Sequence, residues 1–259
     1  MKNENGLPDY EHIYATDLVY VPDCWRLCGD AHCCSFGRYK SKFNMIARTP
    51  FQELPLLPGE YAFLESKGWL TQFGDHEHKV VLFPIAGYVL KVESIVSRRP
   101  NCACDHDTRP TVCRLYPILP VFDVGGRLIE TGQLGIFEEL EDIAGLDAAC
   151  QLKSLPFEQL NKFIALVDAL GRSPICNFYL RAYLIAKQHI AERIRVRYER
   201  NGGSVFSSFE AAFIRRKLVE ATWLSHRLGE VAREFEQCYG GEFKESMDSN
   251  QPPGEVPAE

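Results

Sequence analysis

Ten cysteines are distributed very unevenly along this chain of 259 residues. Four lie in the string CWRLCGDAHCC and three more in CACDHDTRPTVC, whereas residues 35–101 contain none. A fold that brings the two groups together concentrates thiolates around one point, which is how proteins hold soft metal ions and iron–sulfur clusters. The spacing therefore predicts a metal site with these ligand candidates: Cys24, Cys28, Cys33, Cys34, Cys102, Cys104 and Cys113.

The rest of the sequence favours metal binding over a disulfide framework. The start MKNENGLPDYEHIY has no apolar stretch after a basic residue, and no segment approaches the roughly 18 to 20 apolar residues that cross a bilayer. We therefore expect a soluble, cytoplasmic protein without membrane association. Disulfide frameworks are typical of small secreted domains, whereas a chain of this length with 46% hydrophobic residues can bury a sizeable core.

The cysteine-bearing half is rich in Pro and Gly, which predicts turns and short strands. One hairpin is expected from Val80–Ile85 and Tyr88–Val92, and a second from Ile118–Val124 and Arg127–Glu130, because glycines between the strands permit tight turns. One helix is expected from Glu60 to about Ser66, after Pro58-Gly59.

After Gly135 the apolar period changes from about two to about 3.6, which predicts helices. The expected helices are Phe137–Ala144, Phe157–Leu170, Ile175–Arg200 and Phe209–Tyr239. The glycines before Ser204 break the chain, so the last two helices should form a long antiparallel pair. The string Ser207-x-x-Glu210 predicts a capping box at the start of the last one.

These patterns together predict the α+β class. We expect a small, irregular cysteine-rich metal-binding region with short strands, followed by a helical region with the long antiparallel pair. The predicted divisions are an N-terminal segment at 1–22, the cysteine-cluster region at 23–135, the helical region at 136–243 and a disordered tail at 244–259. The tail has too little apolar content to fold.

Two arginines flank the last cysteine of the second group. A nearby cation stabilises a thiolate and offsets the charge that several thiolates accumulate, so Arg109 and Arg114 are predicted to contact the bound cofactor. The alternative is that both are solvated or paired with Asp105 and Asp107.

The string Arg109-Pro110-x-x-Cys113-Arg114-x-Tyr116-Pro117, the Cys33-Cys34 pair and the string Leu56-Leu57-Pro58-Gly59-Glu60 carry a family resemblance. The stretch from about Cys24 to Pro117 resembles the CxxCxxCC family of zinc- or iron-chelating proteins, also called YkgJ-like cysteine cluster proteins, and distantly flagellin lysine-N-methylase. The resemblance implies a metal or iron–sulfur site in a soluble protein. The chain departs from the family in its x3 and x4 cysteine spacing, and in having two cysteines where relatives usually show one.

The identity of the metal is left open between three cases. Seven clustered thiols exceed the four ligands of a structural zinc, which favours an iron–sulfur cluster or iron. Such a centre would serve a redox or group-transfer reaction of unknown substrate. With zinc, the protein would be a non-catalytic interaction module that docks through its basic helices, and a site that holds neither is the third case.

Four histidines and three isolated cysteines are weaker ligand candidates. Imidazole can replace a thiolate, so His32 and His106, which adjoin the cysteine groups, could ligate the metal. His76 and His78 share one face of any extended segment, but a polar turn before a strand accounts for them as well. The isolated cysteines are expected to pack in the core as small apolar residues: Cys150, Cys176 and Cys238.

A basic stretch stands out in a chain whose formal net charge is −6. From residue 181 to residue 217, nine Lys or Arg stand against three acids. Arg193, Arg197 and Arg200 share a face of the predicted helix, so an acidic protein, a nucleotide or RNA can dock there. A solvated helix face is the alternative, and a nucleic acid is disfavoured because no interleaved aromatic platform accompanies the charges.

Overall fold

The computed structural model describes residues 6–20, 39, 41–46, 52–98, 105–147 and 156–249. The predicted α+β class is confirmed, since these ranges contain both helices and antiparallel strands. The first helix, α1, spans Tyr10–Ala15 and begins after Asp9, whose carboxylate accepts a hydrogen bond from the backbone N–H of His12 at 3.1 Å.

Three antiparallel strands form the larger sheet. Strand β1 spans Gln52–Leu56, β2 His76–Ile85 and β3 Tyr88–Ser97, in the spatial order β1-β3-β2. The predicted first hairpin is confirmed and is longer than expected at both outer ends. Its turn needs Gly87, which has a φ of 92° that L side chains rarely adopt.

The second predicted hairpin is also confirmed. Strand β4 spans Ile118–Phe122 and pairs with β5, Leu128–Gln133, with an irregularity between Val121 and Phe122. Gly126 in the connection has a φ of 84° and lies so close to the backbone of Gly171 that a Cβ there would clash.

Three short helices border this hairpin and the larger sheet. Helix α2 spans Glu60–Ser66 as predicted, beginning after Gly59, which has a φ of 79°. Helix α3 spans Thr111–Leu115, and α4 spans Ile136–Ile143, one residue before the predicted range.

The long helices run antiparallel, as predicted. Helix α5 spans Phe157–Gly171, α6 Pro174–Asn201 and α8 Ala221–Tyr239. Three contacts between α6 and α8 show that the two helices run in opposite directions. Arg181 pairs with Glu234 at 2.9 Å, and the His189 ring stacks on Trp223 with centroids 3.7 Å apart. Near the other end of α6, Arg193 lies 3.4 Å from Glu220, the N-cap of α8.

The predicted last helix, Phe209–Tyr239, is wrong. It is two helices, α7 at Val205–Ile214 and α8, separated by a turn in which Arg216 adopts a positive φ of 53°. The predicted capping box is also wrong, because Ser204 is the N-cap and accepts a hydrogen bond from the backbone N–H of Ser207 at 3.3 Å. The side chain of Glu210 instead accepts hydrogen bonds from the backbone of residues 44–46.

The prediction of a disordered tail from Lys244 onward is wrong for residues 244–249, which are helical. Helix α9 spans Gly241–Ser249, and Phe243 and Met247, four residues apart, are fully buried. Phe243 packs against the rings of Phe178 and Phe235. Tertiary packing therefore compensates for the polar composition, and residues 250–259 lie outside the described ranges.

One apolar core connects the sheet to the long helices. Ile95 of β3, Phe178 of α6 and Phe235 of α8 belong to the same cluster. A second, smaller cluster joins Tyr39 and Phe43 to α4 and α7. The predicted boundary at residue 135 stays a prediction. Among the described residues, no helix is long and apolar enough to cross a membrane.

Candidate functional site

Only one of the seven predicted metal ligands falls within the described residues. Cys113 lies in α3 with a half-buried side chain. The other six ligand candidates, together with His32 and Cys150, lie outside the described ranges: Cys24, Cys28, Cys33, Cys34, Cys102 and Cys104.

Helix α3 is a single turn set between prolines. Pro110 precedes its first residue, and the chain leaves the helix at Tyr116, which is extended because Pro117 follows. The backbone N–H of Cys113 donates to the carbonyl of Pro110 at 2.9 Å. The Cys113 side chain faces a cleft, beside that of Val112.

Arg114, the next residue, is 2% exposed and binds the backbone of three other residues. Its Nε donates to the carbonyl of Arg109 at 3.1 Å, its Nη1 to that of Thr16 at 3.0 Å, and its Nη2 to that of Asp107. The guanidinium also lies over the ring of Tyr14, 4.6 Å from its centroid. Burial lowers the pKa of Arg114, and the charge of Arg109 lowers it further.

Arg109 makes a parallel set of bonds. One guanidinium nitrogen donates to the carbonyl of Leu18 at 2.6 Å and the other to that of His106 at 2.9 Å. Burial lowers the pKa of His106, and the Arg109 charge beside it acts in the same direction. Among the described residues neither arginine forms an ion pair with Asp105 or Asp107, and Arg114 is buried, so the alternative of a solvated or acid-paired side chain is wrong for Arg114. For Arg109, whose side chain is half-buried, that alternative stays a prediction. Their contact with a cofactor stays a prediction.

The two arginines connect parts of the chain that adjoin both cysteine groups. Residues 16–18 lie shortly before Cys24, and residues 106–114 follow Cys104. Guanidinium groups satisfy several carbonyls at fixed geometry, so they hold these two stretches in one relative position. We call this set of bonds, from Arg109 and Arg114 to Thr16 and Leu18, the arginine clamp.

Glu60 stabilises the two helices next to the arginine clamp, since it binds Tyr14 of α1 and Thr111 of α3. It is fully buried, and its carboxylate accepts hydrogen bonds from the Tyr14 hydroxyl at 2.7 Å and from the Thr111 backbone and hydroxyl at 2.7 and 2.5 Å. A fourth bond comes from the backbone N–H of Leu57 at 2.9 Å. Burial, and next the Glu60 charge, raise the pKa of Tyr14 well above its usual value. The carboxylate thus joins α1, α2 and α3.

A cleft of about 920 Å³ opens beside α3. Its lining comes from β1, the start of β2, the end of β3, α3, the start of α4, and single residues of α6 and α7. Tyr39, five residues after Cys34, and Arg98, four residues before Cys102, both line it. One described residue near each cysteine group therefore lines this cleft, and Cys113 lines it too. Its volume is typical of a small-molecule site.

Glu138 is the buried acid of the cleft. It is 5% exposed, and its Oε1 accepts hydrogen bonds from the hydroxyls of Tyr39, at 3.2 Å, and of Tyr116. The other carboxylate oxygen lies where a Cβ on Gly135 would be, so a larger residue at that position would displace this carboxylate. Burial, then the Glu138 charge, raise the pKa of Tyr183, which also lines the cleft. A carboxylate held by two phenols can bind a polar group or exchange a proton with it.

The histidines predicted as candidates on β2 have structural partners. Nε2 of His78 lies 3.0 Å from Glu93, and its ring stacks on Tyr61 with centroids 3.4 Å apart. Nδ1 of His76 lies 2.8 Å from the carbonyl of Gly74. The described part of the chain contains no group of three or more His, Cys, Asp or Glu side chains that could hold a metal ion.

The isolated cysteines differ from one another. Cys176 is fully buried, as predicted, and burial raises the pKa of its thiol well above the usual range. Cys238 is exposed on α8, so its predicted core position is wrong. It lies three residues after Phe235, outside the buried stripe of that helix.

Sequence reasoning did not predict the burial of five acids that are 6% exposed or less: Glu60, Glu93, Glu138, Glu141 and Glu210. Glu210 accepts hydrogen bonds from the backbone N–H groups of Asn44, Met45 and Ile46, at 3.2, 2.6 and 2.8 Å. The signal that could have found them is an acid among apolar or aromatic residues, as in FSSFEAAF. Such an acid is buried only when it has partners.

No family model, curated protein or solved structure matches this chain. The resemblance to the cysteine cluster family therefore stays a prediction that rests on the quoted strings.

Proposed function

We propose that this protein holds an iron–sulfur cluster or iron through its clustered cysteines, beside the cleft that Cys113 lines. The centre would serve a redox or group-transfer reaction on a substrate that occupies the cleft. Bound iron would supply either an electron or Lewis-acid activation of the substrate.

The arginine clamp is the observation that carries the proposal. Two stretches of chain about ninety residues apart lead to and from the cysteine groups, and the clamp holds them together with bonds from Arg109 and Arg114. A multi-thiolate site needs such prearrangement, because its ligands come from distant positions and repel each other once ionised.

The cleft adds a reason for a catalytic role. A purely structural metal site is closed by protein ligands, whereas a catalytic one keeps an open position beside a substrate space. Cys113 lies on the wall of a cleft that also contains the buried carboxylate of Glu138. These are the parts that a substrate-binding metal centre requires.

The test is the metal content of protein purified without oxygen. We expect a brown protein with broad visible absorption and iron by elemental analysis. Cys113→Ser should lose most of the iron, whereas Cys238→Ser, which changes an exposed thiol on α8, should keep it. A folded wild-type protein without metal would contradict the proposal, and so would equal iron content in the two variants.

Zinc is the second candidate. The result that would favour zinc is a colourless protein with one zinc per chain. The zinc should be lost in Cys113→Ser and kept in Cys238→Ser, and the site would then be structural instead of a redox centre. The protein would then be a metal-stabilised interaction module without catalysis.

A further inference from the structure

Helix α6 and the turn that follows α7 carry positive charges that the fold does not neutralise. Of the nine basic residues between 181 and 217, four pair with acids: Arg181 with Glu234, Lys187 with Glu139, Arg193 with Glu220 and Arg195 with Glu192. The other five are exposed and form no ion pair within the described residues. We call them the basic strip: Arg197, Arg200, Arg215, Arg216 and Lys217.

The fold brings the triplet at 215–217 to α6 near Arg193, one helical turn before Arg197. Helix α7 folds back along the last turns of α6, because Ile194 shares an apolar cluster with Phe206 and Phe209, and Leu218 packs on that cluster. The ion pair of Arg193 with Glu220 holds the chain shortly after the basic triplet beside α6. The triplet itself is ordered, since the backbone N–H of Lys217 donates to the carbonyl of Ala212 at 2.8 Å.

Apolar side chains adjoin the charges. Phe213 is 49% and Ile214 is 48% exposed, directly before the triplet, and Val196 is 40% exposed next to Arg197. Exposed apolar groups beside unpaired charges are typical of interaction surfaces rather than of a solvated helix face. Phe213 also lines the cleft, so this surface reaches the cleft entrance.

Capping of α7 does not account for the strip. Cations near the C-terminus of a helix favour its dipole, but this effect is confined to the last turn and needs few charges. Arg200 lies in the last turn of α6, where it favours the dipole of that helix. Arg197 lies a turn earlier, and Arg216 and Lys217 lie beyond the C-cap of α7, so the helix dipoles do not account for the whole strip.

We infer that the basic strip and its apolar neighbours Phe213 and Ile214 bind an acidic segment of a protein partner. The formal net charge of the whole chain is −6, so a long polyanion is repelled by most of the surface. A short acidic segment meets only the strip, because charges farther than a Debye length of about 8 Å are screened. An apolar residue in that segment would cover Phe213 and Ile214.

The partner surface differs from the one that the sequence predicts. Arg193 is taken up by Glu220 and does not contribute a free charge. The triplet at 215–217, which is not on the predicted face, contributes more than half of the strip.

The test is the fluorescence anisotropy of a labelled synthetic peptide, in which runs of Asp and Glu surround one Leu. The variant Arg215→Glu, Arg216→Glu, Lys217→Glu should bind at least about ten-fold more weakly than wild type, since three exposed ion pairs are each replaced by repulsion. The control reverses three exposed charges elsewhere, Arg172, Arg233 and Lys244, and thus gives the same net charge. It should bind within about two-fold of wild type.

A second variant, Arg197→Gln with Arg200→Gln, tests the strip from α6 and should also weaken binding. Binding by wild type should fall with added salt. No binding of the peptide to wild type at low salt would overturn the inference, and so would equal losses in the triplet variant and its control. Tighter binding of an RNA oligonucleotide or of anionic phospholipid vesicles than of the peptide, lost in the triplet variant, would also overturn it.

Discussion

The carboxylate of Glu60 accepts a hydrogen bond from the backbone N–H of Thr111 across 2.7 Å, although the two residues are 51 positions apart. This bond joins two strings that sequence reasoning treated separately, the Leu-Pro-Gly-Glu string and the Arg-Pro-x-x-Cys-Arg string. Because Glu60 also binds Tyr14 of α1, one buried carboxylate positions the helix of Cys113 and the chain that leads to Cys24.

Replacing Glu60 should therefore destabilise the protein strongly. The Glu60 carboxylate accepts four hydrogen bonds, and Glu60→Gln replaces one of its acceptor oxygens by an NH2 group that donates. We therefore expect the free energy of unfolding in urea to fall by about 2 to 4 kcal/mol. Glu65→Gln, on the exposed face of the same helix, is the matched control and should change it by less than about 0.5 kcal/mol. Equal stability of the two variants would show that the carboxylate is not required.

Arg114 should act through its geometry rather than through its charge. Arg114→Lys keeps the charge, but its single nitrogen cannot take the places of the three guanidinium nitrogens that bind three separate carbonyls. We therefore expect both Arg114→Lys and Arg114→Gln to lose about 2 kcal/mol of unfolding free energy. Urea unfolding checks this, with Arg172→Lys on the surface as the control. If Arg114 serves to tune a redox centre by charge, Arg114→Lys should instead behave as wild type.

Glu210 should hold the segment that follows the first cysteine group. The Glu210 carboxylate accepts hydrogen bonds from three backbone N–H groups, and in Glu210→Gln one of its oxygens becomes an NH2 group that cannot accept them. Hydrogen exchange at the backbone N–H groups of Met45 and Ile46 should therefore become about ten-fold faster or more. Exposed Glu199→Gln, on α6, is the control. Unchanged exchange at both amides in Glu210→Gln would contradict this role.

The pH dependence of stability should include a contribution from His189. Burial lowers the pKa of His189 and Arg193 lowers it further, while Glu220 opposes them. The folded protein therefore binds the proton less readily than the unfolded chain, whose histidine pKa is about 6.5. This contribution to stability is fully present above about pH 6.5, and it is lost as the pH falls through the pKa that His189 has in the folded protein.

Urea unfolding on either side of that pH measures the loss. Wild type should lose more stability on acidification than His189→Gln, and the exposed control His12→Gln should follow wild type. The fluorescence of Trp223, which stacks on the imidazole, should report the same titration. Identical pH dependence in wild type and His189→Gln would exclude this contribution.

Removing the metal should loosen the clamp more than the long helices. If thiolate ligation adds to folding free energy, hydrogen exchange after chelation should rise first at residues 105–116 and at residues 16–18. Helices α6 and α8 share the main core and should keep their protection. Equal protection with and without metal in all these segments would count against a site that organises this region.

The sequence alone determined the local elements of this protein. Both hairpins, α2 and the long antiparallel pair were predictable, because glycine turns and apolar periodicity act over a few residues. Errors came where distant contacts decided. Glu210 does not cap α7 because it binds the backbone of residues 44–46, and Phe243 and Met247 fold the polar tail because the main core accepts them.

Only the tertiary structure decided how the candidate site is built. Periodicity and spacing identify Cys113 and Arg114, but they cannot show that Arg114 binds the carbonyl of Thr16, 98 positions away, or that Glu138 lies with Cys113 in one cleft. The physical reason is that a buried charge is tolerated only with its full set of partners. Those partners come from separate parts of the chain, so no local pattern contains them.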